Sequence, residues 1–186
     1  MYRPMRVSFC KKDVAVYFSH LDLNRTVMRL LRKSGVDFWY TEGFNPHPYV
    51  VFACPLPLGM ESECEIFEFK AGETFSAADR KALFDVFPGC LKINDIYESD
   101  RKFKEIAFSA CEISMEGEQA IEPLFKAPMP VLKKSKRSEK TVDVRDFVED
   151  VTVEFQNGRT YFRGNIRTGD VSLNPSYLVT AFLNAG

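Results

Sequence analysis

Residues 17–62 join a capped amphipathic helix to short strands through proline-braced loops, and few folds are open to a chain with that succession. Ser19 stands three residues before Asp22, the spacing of a capping box, so its hydroxyl is expected to accept from the Asp22 amide while Asp22 reaches back. Leu23, Val27, Leu30 and Leu31 recur at helical spacing, and Arg25, Arg29, Arg32 and Lys33 gather on the other side. Gly35 closes the helix as the residue able to take a left-handed backbone.

Around this helix the pattern is one of short strands. Residues 5–10 and 14–18 read as two β-type runs, either one bulged strand or a hairpin on a sheet edge. Residues 36–40 and 49–53 are strand candidates flanking the loop 41–48, where prolines on both sides of His47 fix their own φ and hold the preceding residues extended. Residues 64–70 alternate into a strand with Ile66 and Cys64 inward, Ser76 caps a helix over 77–87, and 91–97 is a further strand. The order β-α-β-β-α-β is that of a ferredoxin-like unit, expected over residues 1–100.

Residues 104–186 suggest a second, degenerate α+β unit: a strand over 105–115, a helix over 118–126 weakened by Pro123, a hairpin about Asn157-Gly158, and a last helix over 176–183 opened by Asn174-Pro175. The fold class expected is therefore α+β, two ferredoxin-like units with antiparallel sheets and helices on one face. The run from Lys133 to Lys140 reads as a solvated basic loop. The chain stops soon after its last helix, which suggests a further C-terminal piece.

Composition narrows the function classes. No apolar run reaches the about 18–20 residues needed to cross a bilayer and no N-terminal apolar block resembles a secretory signal, so a cytoplasmic protein without membrane contact is expected. The five cysteines are scattered without a C-x-x-C pair, which argues against a disulfide framework, a zinc ribbon or any metal site. With a net charge of −1, attraction to nucleic acid must come from a local patch. There is no P-loop, G-x-G-x-x-G, H-E-x-x-H or G-x-S-x-G, and no cofactor is expected.

Two histidines are the candidate catalytic groups. His20 lies in the first turn of the capped helix, where the positive dipole end favours a neutral imidazole able to act as base or hydrogen-bond partner; a histidine merely bonding a nearby carbonyl explains the same position. His47 is either a surface contact or a staple of its loop. Arg25, Arg29 and Arg32 form a row suited to phosphates or carboxylates, or an ordinary solvated helix face. Lys133, Lys134, Lys136 and Arg137 form a second basic group that could close over an RNA backbone. Tyr17, Phe18, Phe38, Trp39, Tyr40, Phe44, Tyr49 and Phe52 could stack on unpaired bases, although strand alternation sends many of them to the core. Glu61, Glu63, Glu65 and Glu68 suggest a solvent-facing strand side.

F-S-H-L-D-L-x-R at 18–25, G-F-N-P-H-P at 43–48, P-L-P-L-G-x-x-S at 55–62 and the later K-S-K-R-S-E-K-T-V-D-V-R at 134–145 resemble the bacterial radical-SAM-linked protein family, a domain of unknown function. The resemblance implies a module fused to, or encoded beside, radical SAM enzymes of the cobalamin type, near genes for RNA processing and ribosomal proteins. It marks Ser19, His20, Asp22, Arg25, Gly43, Asn45, Pro46, His47, Ser62, Lys136, Arg137, Asp143 and Arg145. The chain lacks the C-x-x-x-C-x-x-C of a radical SAM cluster, so an accessory part is expected rather than the enzyme. A fainter, fold-level similarity is to CRISPR repeat-processing endoribonucleases.

The expected function is an accessory module that presents RNA or a ribosomal component to a radical SAM protein. The alternatives are a metal-independent endoribonuclease and a protein-only scaffold. A shared working surface requires the helix start and the proline-braced turn to meet, with His20 and His47 on a common patch.

Overall fold

The computed structural model describes residues 2–121, 125–134, 139–169 and 172–185. The fold is mixed α+β with antiparallel sheets and, among the described residues, three α-helices. The chain divides into two compact units, Met1–Arg101 and Lys102–Gly186.

In the first unit the elements follow the order β1 (Arg3–Lys11), α1 (His20–Ser34), β2 (Val50–Phe52), β3 (Ser62–Ala71), α2 (Ala77–Val86) and β4 (Ile93–Tyr97). The strands pair antiparallel in the order β2-β3-β1-β4. β1 is thus an interior strand, not the edge expected of it, and its bulge falls between Phe9 and Lys11 in the pairing with β3. Residues 14–18 do not form a strand. Asp13 takes φ 51°, the chain turns into a 3-10 helix over Asp13–Tyr17, and Val16 O accepts from Gly59 N at 2.8 Å. Residues 36–40 make only isolated bridges, Phe38 to Ala71 and Tyr40 to Pro48.

Both helices cover one face of this sheet. Leu23, Val27 and Leu31 of α1, with Leu83 of α2, pack on Val7, Phe9, Phe67 and Phe69. Ser19 and Gly35 bound α1 as expected, Ser19 Oγ accepting from Asp22 N at 3.2 Å and Gly35 lying at φ 72°. β3 corrects the expected phase: Glu65, Phe67, Phe69 and Ala71 point inward, Cys64 is exposed, and Ile66 faces the other side. The run contains apolar residues of both parities, and burying two phenyl rings removes more apolar area from water than burying a cysteine and an isoleucine.

The second unit is built from β5 (Phe108–Glu116), β6 (Pro130–Lys134), β7 (Glu139–Asp143), β8 (Val148–Gln156), β9 (Arg159–Arg167) and α3 (Ser176–Ala185). β5-β9-β8 form a three-stranded sheet and β6-β7 a hairpin. Asn157 (φ 53°) and Gly158 (φ 75°) make the tight turn between β8 and β9, the conformation that Asn-Gly favours. Phe162 of β9 stacks on Phe125 at 5.6 Å and meets Phe182 of α3 edge-on at 5.2 Å. The helix expected over 118–126 is absent where the chain is described. Gly117 turns left-handed, Gln119 N donates to Thr160 Oγ1 at 2.8 Å, and 118–121 follow that anchor instead; Pro123 lies outside the described residues.

Candidate functional site

α1 presents two different faces at its N-terminal end. Ser19 Oγ donates to Asp22 Oδ2 at 2.6 Å, and this bond, more than the nearby Arg25, holds the Asp22 carboxyl below its usual range. The Asp22 carboxylate thus reaches back to Ser19, to its hydroxyl and also to its backbone N–H. His20 is exposed, yet its ring meets Phe52 edge-on at 5.1 Å, and Phe52 in turn packs on Phe9 and Phe67. His20 thus stands over the margin of the core, on the side of the helix shared with Val27 and Leu31.

Arg25, Arg29 and Arg32 point away from that margin. At about 100° per residue they lie roughly 120–180° around the helix from His20. All three are exposed, and neither Arg29 nor Arg32 makes an ion pair among the described residues. The row is a strip of guanidinium groups with unused donors, separate from the imidazole.

The loop 41–48 is stapled internally. Thr41 N donates to His47 O at 2.8 Å, His47 N donates to Thr41 Oγ1 at 3.2 Å, and His47 Nδ1 lies 3.0 Å from Asn45 O and 3.1 Å from Thr41 Oγ1. A proton on Nδ1 satisfies the Asn45 carbonyl and leaves Nε2 as the acceptor. Gly43 (φ 121°) provides a bend that side-chain-bearing residues rarely adopt, and Pro46 and Pro48 stiffen the return.

His20 and His47 do not share a patch. Phe52, under His20, is five residues along an extended segment from His47, a span of about 16 Å at the usual strand rise. α1 and β3 run between the two ends: Lys11 and Ser62 lie near the helix start, while Ala71 and Phe38 lie near the loop. The required meeting of helix start and turn fails because one 15-residue helix separates them. Of the aromatics, Phe38 is core, Trp39 and Tyr49 flank the Lys70 ammonium at 4.5 and 5.1 Å, and Tyr17 and Phe44 are exposed.

A polar cluster under the third sequence motif was not foreseen. Lys11 is 1% exposed and Glu65 7% exposed, both at the helix-start end of the sheet. Lys11 Nζ donates to Met60 O at 3.3 Å, and Ser62, the cross-strand partner of Lys11, hydrogen-bonds the Glu65 carboxyl. Burial pushes the Lys11 ammonium down and the Glu65 carboxyl up, and their mutual attraction opposes each shift. Glu65 is no part of a solvent-facing acidic side. Glu61 instead accepts from Asp13 N, Glu63 pairs with Lys12, and Glu68 pairs with Arg6. Lys11 sits at a bulge in β1, the one signal for an inward lysine, and that bulge becomes visible only with the register.

In the second unit the described ends of the expected basic loop are strand. Lys133 and Lys134 belong to β6, Glu139 and Lys140 to β7, and Lys136 and Arg137 lie outside the described residues. Lys133 Nζ donates to Ser172 O at 2.5 Å and sits 5.5 Å from the Phe147 ring, so its charge is held within the unit. Asp143 and Arg145 form a staple. Asp143 Oδ1 accepts from Met129 N and Arg145 N, and the Arg145 guanidinium binds the carboxylate through Nε and Nη2 at 3.0 and 2.6 Å. The guanidinium holds Asp143 at about 2, well below its ordinary 3.8. Asp143→Asn is expected to cost the second unit about 1–2 kcal/mol at pH 7 in urea unfolding. A depressed carboxyl stabilises fully above its unfolded value, so the difference from wild type should shrink as pH falls below 3.8 toward about 2.

Among the described residues no helix is long and apolar enough to cross a membrane, and no group of three or more His, Cys, Asp or Glu side chains is placed to hold a metal ion. A family model described as an uncharacterized protein conserved in bacteria, DUF2344, matches residues 4–174. The chain belongs to this family. The DUF2344 match takes in the Ser19–Arg25 helix start, the proline-braced loop, Ser62, and the Asp143–Arg145 staple. No curated protein matches the chain.

Proposed function

We propose that this DUF2344 protein is an accessory binding module whose α1 outer face takes the phosphates of an RNA or ribonucleoprotein and presents it to a radical SAM protein. The observation that carries this is the exposed row Arg25, Arg29 and Arg32, on the helix face opposite the core and with donors to spare. The partner enzyme comes from the motif resemblance alone. The chain order β-α-β-β-α-β with sheet order β2-β3-β1-β4 supports taking the first unit as ferredoxin-like; the second, with its single described α-helix after all its strands, supports only a loose α+β likeness.

Cross-linking in the native cell, followed by identification of bound RNA and protein together, tests the proposal. Wild type should yield RNA and a radical SAM protein in one complex, and Arg25→Ala/Arg29→Ala/Arg32→Ala should lose the RNA while keeping the protein. Recovery of the protein partner without RNA would support the scaffold alternative instead. RNA cleaved by wild type and left intact by His20→Ala or His47→Ala would support the endoribonuclease, with each histidine acting alone.

A further inference from the structure

We propose that the loop 41–48 is a protein-docking knob, with Phe44 as an anchor that enters an apolar pocket on a partner whose rim carries a cation facing Glu42. This surface is independent of the arginine row. Phe44 is 112% exposed, as open as in an extended peptide, although the chain has ample core in which to bury a phenyl ring. Exposure here is built, not loose. Gly43 at φ 121° turns the chain outward just before Phe44, and the Thr41–His47 and His47–Asn45 hydrogen bonds close the loop just behind it. Pro48 is buried and bridged to Tyr40, which roots the knob in the unit. A loop whose backbone is fixed before binding loses little main-chain freedom on docking, and aromatic side chains dominate the energetics of protein interfaces.

The chemistry of the surroundings favours a protein over a nucleic acid. Within 41–48 Glu42 is the one residue with a formal charge, and there is no lysine or arginine to neutralise a phosphate. The nearby Lys70 is held over the Trp39 and Tyr49 rings. Tyr40, 42% exposed and stacked on Phe38 at 5.1 Å, supplies a second aromatic at the base of the knob.

The test places the photo-crosslinker p-benzoylphenylalanine at position 44 of the full chain in cells, with the same substitution at Phe155, an exposed aromatic of the second unit, as control. The expected result is a protein adduct specific to position 44 whose cross-linked peptide carries apolar residues flanked by Lys or Arg. With that protein purified, Phe44→Ala should weaken binding about thirtyfold and Glu42→Lys about five- to tenfold, while Phe44→Leu retains most of the affinity. Phe44→Ala should melt as wild type does, because the ring packs against nothing. Adducts carrying nucleotide mass, adducts no more frequent than at Phe155, or a dissociation constant unmoved by Phe44→Ala would each overturn the proposal. Arg25→Ala/Arg29→Ala should leave the position-44 adduct unchanged, so failure of RNA binding and failure of the knob are read separately.

Discussion

Phe67→Ala should destabilise the first unit by about 3–5 kcal/mol in urea unfolding. Phe67 is fully buried and its ring is the hub of the core, with ring centroids 5.7 Å from Phe9, 5.8 Å from Phe52, 6.3 Å from Phe69 and 6.2 Å from Phe87. Truncation removes its transfer free energy and leaves a cavity that four aromatic neighbours on three strands and a helix end cannot jointly refill. The adjacent Ile66 points to the other face and is only half-buried, so Ile66→Ala should cost about 1 kcal/mol. A larger cost at Ile66 than at Phe67 would mean that β3 is out of register by one residue, since a slip of one exchanges the two faces.

The second large effect is expected at the buried charges. Lys11→Met should cost about 3–5 kcal/mol at pH 7, because it leaves the Glu65 carboxylate buried without its cation. The pair itself is poor at stabilising the fold: desolvation outweighs attraction for both groups. Lys11→Met/Glu65→Leu should therefore recover most of the loss or exceed wild type. The sign with pH follows. A carboxyl raised in the folded state contributes stability that is present below its unfolded value of 4.5 and lost as pH rises through the folded value, so the cost of Lys11→Met should diminish below pH 4.5. A double variant as unstable as the single one would show that the Met60 and Ser62 contacts, not the charge, hold this end of the sheet.

Features set by a few neighbouring residues could be read directly from the sequence. The Ser19 and Ser76 caps, the Gly35 stop and the Asn157-Gly158 turn each depend on the backbone of three or four residues, and each stands where expected. What depends on packing between distant segments could not be read this way. The inward set of β3 was decided by ring volume against α1 and α2, and the turn at Asp13–Tyr17 by a hydrogen bond to Gly59. The separation of His20 from His47 is a matter of helix length and strand direction, which local motifs do not encode. The arginine row was legible because helical spacing alone places it, whereas the Lys11–Glu65 cluster was hidden behind an alternation that looked solvent-facing.

The salt dependence of RNA binding bears most directly on the arginine row. Because the chain carries a net charge of −1, any steep dependence must arise from a local patch. With three phosphates neutralised, the logarithm of the association constant for a single-stranded RNA should fall with the logarithm of salt concentration at a slope of about −2, and each Arg→Ala at 25, 29 or 32 should flatten it by about 0.7. Equal slopes for wild type and the triple alanine variant, or no binding at low salt, would contradict the assignment of this helix face to phosphate.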